Sequence, residues 1–62
     1  VNTGCAIQMG CIINCGVIVD HGCVLEEGVH VCLGAIVKAE NHIPSCMKIA
    51  AGEIVANRTY PV

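Results

Sequence analysis

The stretch G-V-I-V-D-H-G-C-V-L-E-E-G-V-H-V-C-L-G-A-I-V, Gly16 to Val37, repeats itself every six residues. Gly16, Gly22, Gly28 and Gly34 each open a unit, and Val19, Leu25, Val31 and Val37 stand three positions after them. Followed in both directions, the aliphatic row runs Val1, Ile7, Ile13, Val19, Leu25, Val31, Val37, Ile43, Ile49, Val55 without interruption. Gly4, Gly10 and Gly52 complete the second row, so all seven glycines of the chain share one phase. A period of six matches neither a helix, at about 3.6 residues per turn, nor a coiled coil, at about 3.5. It matches short strands joined by tight corners. Within Val17-Ile18-Val19 the outer two residues share a face and the middle one opposes them, as strand alternation requires. The glycine gives the backbone its freedom at the corner.

Three strands and three corners close a triangular coil of eighteen residues, and the 62-residue chain makes about three and a half of them. The fold class is therefore all-β, a parallel β-helix whose coils stack through ladders roughly 4.8 Å apart. Stacking by eighteen predicts inward columns Val1-Val19-Val37-Val55, Ile7-Leu25-Ile43 and Ile13-Val31-Ile49. The outward columns are Ala6-Val24-His42-Tyr60, Ile12-His30-Lys48 and Ile18-Ile36-Ile54. The last is an apolar stripe facing away from the core, and such stripes mark partner surfaces. Residues 1–37 are regular. Over 38–62 Glu40, Cys46 and Arg58 replace glycine, and Pro44 and Pro61 remove ladder donors. A looser terminal coil and tail of the same single domain are expected there.

Composition narrows the function. The chain is 55% apolar but has a single aromatic residue, Tyr60, so its interior is a thin column of Val, Ile, Leu and Cys. Net charge is −2, without a basic run or an aromatic platform, which disfavours nucleic acid. No apolar run approaches the length of about 18 residues that a membrane span needs, and no basic segment of the signal-peptide kind opens the chain. Beginning at Val1 in mid-pattern, the chain is expected to be a fragment of a longer protein, with a cytoplasmic location. Six cysteines invite a disulfide reading, but Cys5, Cys11 and Cys23 share a phase with Val17, Val29 and Ala35. A thiol interchangeable with a small hydrophobe is a reduced core residue. No CxxC spacing points to structural zinc.

The run N-C-G-V-I-V-D-H-G-C-V-L-E-E-G-V-H-V, Asn14 to Val31, carries a family likeness. It resembles the active-coil signature of hexapeptide-repeat acyltransferases, specifically sugar-nucleotide N-acetyltransferases and sialic-acid-pathway O-acetyltransferases. Their pattern is Asn-x-Gly, two residues, an aliphatic, an acid, His, an acid, Cys-x-Ile, and then Val-His-aliphatic. The resemblance, which covers about residues 1–37, implies a left-handed β-helix and a homotrimer, here assembled through the Ile18/Ile36/Ile54 face. It implies acetyl transfer from acetyl-CoA to an amino sugar carried on a nucleotide. His21 would be the catalytic general base and Asp20 its acidic companion. Asn14 would line the substrate site, His30 would contact acetyl-CoA, and no metal is implied. Two departures stand out: Gly22 occupies the place of the second acid, and the Gly-Ala-Gly run of the later coils is missing.

An imidazole suits the base role because its unperturbed pKa is about 6.5. Asp20 and His21 are sequence neighbours, so their side chains are expected to diverge, with the acid serving His21 coming from another coil or subunit. Asp20 stacks over Lys38, which suggests a surface ion pair. His42, over Tyr60, reads as structural. Two rival functions use the same fold. One is a non-catalytic structural or assembly β-helix. The other is a zinc lyase of the γ-carbonic anhydrase type, for which His21, His30 and His42 are spaced too widely.

Overall fold

The computed structural model describes residues 1–61. Nine two-residue strands follow one another: β1 Ala6–Ile7, β2 Ile12–Ile13, β3 Ile18–Val19, β4 Val24–Leu25, β5 His30–Val31, β6 Ile36–Val37, β7 His42–Ile43, β8 Lys48–Ile49 and β9 Ile54–Val55. They form three parallel sheets, β1-β4-β7, β2-β5-β8 and β3-β6-β9, here called the first, second and third faces. Partner residues lie eighteen apart throughout, as in Ile7↔Leu25↔Ile43 and Val19↔Val37↔Val55. The molecule is a parallel β-helix of about three coils. Each coil donates to the next through bonds such as Ala6 N to Cys23 O and Asp20 N to Val37 O, both 2.9 Å.

Burial follows the inward rows. Val19, Leu25, Val31, Val37, Ile43, Ile49 and Val55 form the core, joined by Cys23, Val29 and Ala35 on the second inward phase. The first coil is the exception. Val1 is 70% exposed and Ile7 38%, at the edge of the described coils. The opposite end is closed by Tyr60 and Met47, which pack against the core, and Val55 there is only 3% exposed.

Loss of glycine in residues 38–62 leaves the strand register unchanged through Val55. Glu40, Cys46 and Arg58 adopt the left-handed backbone that glycine adopts elsewhere, with φ of 60°, 62° and 52°. Each such residue carries a cost of roughly 1–2 kcal/mol, which the ladders on both sides offset. At one corner glycine also answers a need for room: a Cβ on Gly28, one coil away, would come within 3.2 Å of the Cys46 thiol. After Val55 the chain folds back, and Pro61 bridges Asn41 in antiparallel fashion.

Asn41 holds that return. It is fully buried, in a phase that small hydrophobes fill from Cys5 to Ala35. Its Nδ2 donates to Lys38 O and Ala56 O, each at 2.9 Å, and its Oδ1 accepts from Tyr60 N at 2.9 Å. A buried amide is tolerated when its groups are paired in this way.

All six cysteines are free thiols. Cys5, Cys11 and Cys23 each donate to the carbonyl fifteen residues on, those of Asp20, Glu26 and Lys38, at 2.9, 3.1 and 3.1 Å. Burial pushes the Cys23 thiol above its ordinary range, so it resists forming the reactive thiolate.

Candidate functional site

Strand β3 ends at Val19, and the next two residues begin the corner between the third and first faces. The Asp20 carboxylate turns forward there, and its Oδ1 accepts the His21 backbone N–H at 2.7 Å. The same oxygen lies 3.1 Å from His21 Nδ1. This corrects the expected divergence: the two neighbours meet, because they sit on a corner and not along a strand. The device recurs. Asn2 Oδ1 takes the N–H of Thr3, and Asn14 Oδ1 that of Cys15, each at 2.7 Å. A short acceptor closing its own turn is how Asn and Asp side chains stabilise corners.

The contact sets the chemistry of the ring. A carboxylate only accepts, so in the neutral ring Nδ1 carries the proton and Nε2 keeps its lone pair. Both side chains are open to solvent, His21 at 57% and Asp20 at 41%. The His21 backbone N–H, then the His21 ring, hold the Asp20 carboxyl below its ordinary value of 3.8. A carboxyl whose pKa falls on folding stabilises the fold above that ordinary value. The contribution disappears as acid carries the solution down through the lowered one. The largest cause is the backbone N–H, which alanine retains, so the carboxyl should stay below its ordinary value in His21→Ala. Carbon-13 titration of the Asp20 carboxyl measures it, and a midpoint at the ordinary value in the folded wild-type chain would remove the corner bond from this account.

The expected Asp20–Lys38 ion pair does not form, since Asp20 is engaged within its own corner. Among the described residues carboxylates meet basic side chains in three pairs, Asp20–His21, Glu26–His42 and Glu40–Arg58, and the histidine pairs are ionic only when the ring is protonated. The Glu26–His42 pair joins β4 to β7 through Nε2 and Oε2, while Glu26 Oε1 accepts Ser45 N at 3.2 Å. It is a strap between coils, and it gives His42 a partner other than Tyr60.

A cleft of about 340 Å³ opens on the same corner as Asp20 and His21, lined by Gly22, Glu40, Arg58 and Pro61. The Glu40 N–H donates to His21 O at 3.1 Å, tying the cleft wall to the candidate base. A Cβ on Gly22 would meet Glu40 Cγ at 3.5 Å. The place left empty by glycine after His21 is thus filled by an acid from the next coil. From sequence Glu40 and Arg58 were marked only as replacements for glycine and given no functional role, although they are eighteen residues apart in one column.

Asn14 and His30 lie elsewhere. Asn14 sits at the corner between the second and third faces, and no hydrogen bond joins it to His21. His30 is in the middle of the second face, between Ile12 and Lys48. In a three-sided coil that face lies opposite the His21 corner. His30 Nε2 is buried and has no hydrogen-bond partner among the described residues. An orphaned buried polar atom costs about 1–3 kcal/mol, so one in a folded chain calls for an explanation. His21, His30 and His42 thus occupy a corner and two different faces. Among the described residues no three of His, Cys, Asp or Glu are grouped as metal ligands.

Compared with family models, with curated proteins and with solved structures, the chain matches none. No helix among the described residues is long and apolar enough to cross a membrane.

Proposed function

We propose that this chain supplies the catalytic coils of an acetyl-CoA-dependent acyltransferase, with an amino sugar carried on a nucleotide as acceptor. One observation carries the reading. The Asp20–His21 pair, with Nε2 free to take a proton, stands beside the concavity that Gly22, Glu40, Arg58 and Pro61 line. A base held in one tautomer by a carboxylate, next to a small-molecule cleft, has the parts for proton abstraction from a nucleophile.

Acetyl-CoA, as co-substrate, supplies the activated acetyl group. His21 Nε2 takes the acceptor's proton as the new bond to the acetyl carbon forms, and returns it to the departing sulfur. Asp20 steadies the imidazole while it carries the charge. His30 fits the coenzyme side, because its Nε2 lacks a hydrogen-bond partner among the described residues.

One chain cannot bring His21 and His30 together, since they lie on opposite sides of the coil. A contact of the third face of one copy with the second face of the next would do so. It would cover Ile18 and Ile54, which are 57% and 64% exposed, and place them against the 53%-exposed Ile12. Such an unlike-face contact closes into a ring, and a trimer is the ring that suits a three-sided prism. The reading is tested by thioester turnover with a panel of amino sugars. Acceptor-dependent release of free thiol is expected. If no acceptor raises thiol release above spontaneous hydrolysis, the chain is a structural β-helix instead.

A further inference from the structure

Gly4, Gly22, Glu40 and Arg58 occupy one position of the His21 corner in successive coils. The change from glycine to charged residues has a backbone cost, because Glu40 and Arg58 hold left-handed φ of 60° and 52°. Of the three non-glycine residues in that conformation, these two line the cleft. Lys38 begins the same corner and is exposed, so two of the chain's three Lys and Arg residues stand there. Arg58 donates from Nη1 to Glu40 Oε1. With 65% of its side chain exposed, the guanidinium keeps most of its donors uncommitted.

We propose that this cleft binds the phosphate-type oxyanion of a small molecule, with Arg58 leaving Glu40 to receive it. The chemistry of the pair and the size of the cleft converge. An exposed pair of this kind is weak and exchanges readily. The planar fork of a guanidinium matches a phosphate through paired bonds. The volume, about 340 Å³, falls in the range of small-molecule sites. In the free protein Glu40 is the internal stand-in for the ligand. The inference deepens the acyltransferase reading and rests on it for the cleft's place beside the base. The phosphate could be carried by the acceptor sugar or by coenzyme A.

The test is titration of the full chain, nitrogen-15 labelled and at low salt, with glucose 1-phosphate in one arm and coenzyme A in the other. Saturable shifts are expected at the Gly22, Glu40 and Arg58 amides in at least one arm, and the arm that responds identifies the carrier. Arg58→Gly keeps the left-handed backbone with the residue best suited to it, so the fold should survive while binding weakens roughly tenfold or more. Glu40→Gln should tighten binding about two- to fivefold, because the internal competitor is gone. The proposal is overturned by the absence of saturable shifts in both arms, by an Arg58→Gly chain that binds as well as wild type, or by a Glu40→Gln chain that binds no better. Binding without thioester turnover leaves the oxyanion site standing and removes acyl transfer. Turnover with a KM indifferent to Arg58→Gly does the reverse.

Discussion

His21→Ala is expected to lower acceptor-dependent thioester turnover at least about a hundredfold, the usual range for loss of a general base. The fold should be spared, because among the described residues the ring's one polar contact is the Asp20 carboxylate and 57% of the side chain faces water. His30→Ala should also be impaired, and the two variants together are informative. If each site takes His21 from one copy and His30 from its neighbour, chains mixed at equal ratio rebuild a complete site at one junction in four. Co-expression should then recover about a quarter of wild-type activity from two inactive parents, as a ring of unlike contacts requires. A mixture as inactive as its parents would rule out the shared site, and undiminished turnover in His21→Ala would take His21 out of the mechanism altogether.

The largest effect on stability is expected at Leu25. It is fully buried, in the middle of the Ile7-Leu25-Ile43 column. Truncation to alanine removes its transfer energy and leaves a cavity between two coils held at fixed ladder spacing, which cannot close on it. A loss of about 2–5 kcal/mol follows. That approaches the whole stability of a small chain, about 0.05–0.15 kcal/mol per residue. Ile7 provides the internal control. It belongs to the same column but is 38% exposed at the open end, so Ile7→Ala should cost less than about half as much. Urea midpoints of the two variants decide the matter. Equal losses would mean that burial does not grade along the column from the open end.

The phases of the repeat made the architecture legible before any coordinates. Inside and outside alternate along each unit, and the stacking distance of eighteen follows from three strands per coil. The columns read from spacing are the columns observed, from Ile7↔Leu25 to Val37↔Val55. At three positions the phase was read as a loosening of the repeat, and the backbone keeps it instead. Glu40, Cys46 and Arg58 stand where glycine stood, and the backbone there is the same. Their side chains suggested disorder in the repeat, whereas the path of the chain depends on the ladders on either side.

The candidate site was legible in part. Asp20, His21, Asn14 and His30 were named from the resemblance as candidates, and their positions on the coil agree with the count. Spacing could not reveal that Asp20 folds forward onto His21, that Glu40 fills the room beneath Gly22, or that Glu26 straps His42 across a coil boundary. All three involve corner residues or long polar side chains.

The sequence by itself thus determined the coil, its register, its core and the corner on which the imidazole sits. Periodicity dictates backbone path and the alternation of faces, and both are local properties of short strands. Only the tertiary structure decided where the polar groups point. At a corner, an oxygen chooses among donors contributed by its own turn and by the coils above and below, and that competition is settled only once the coils are stacked.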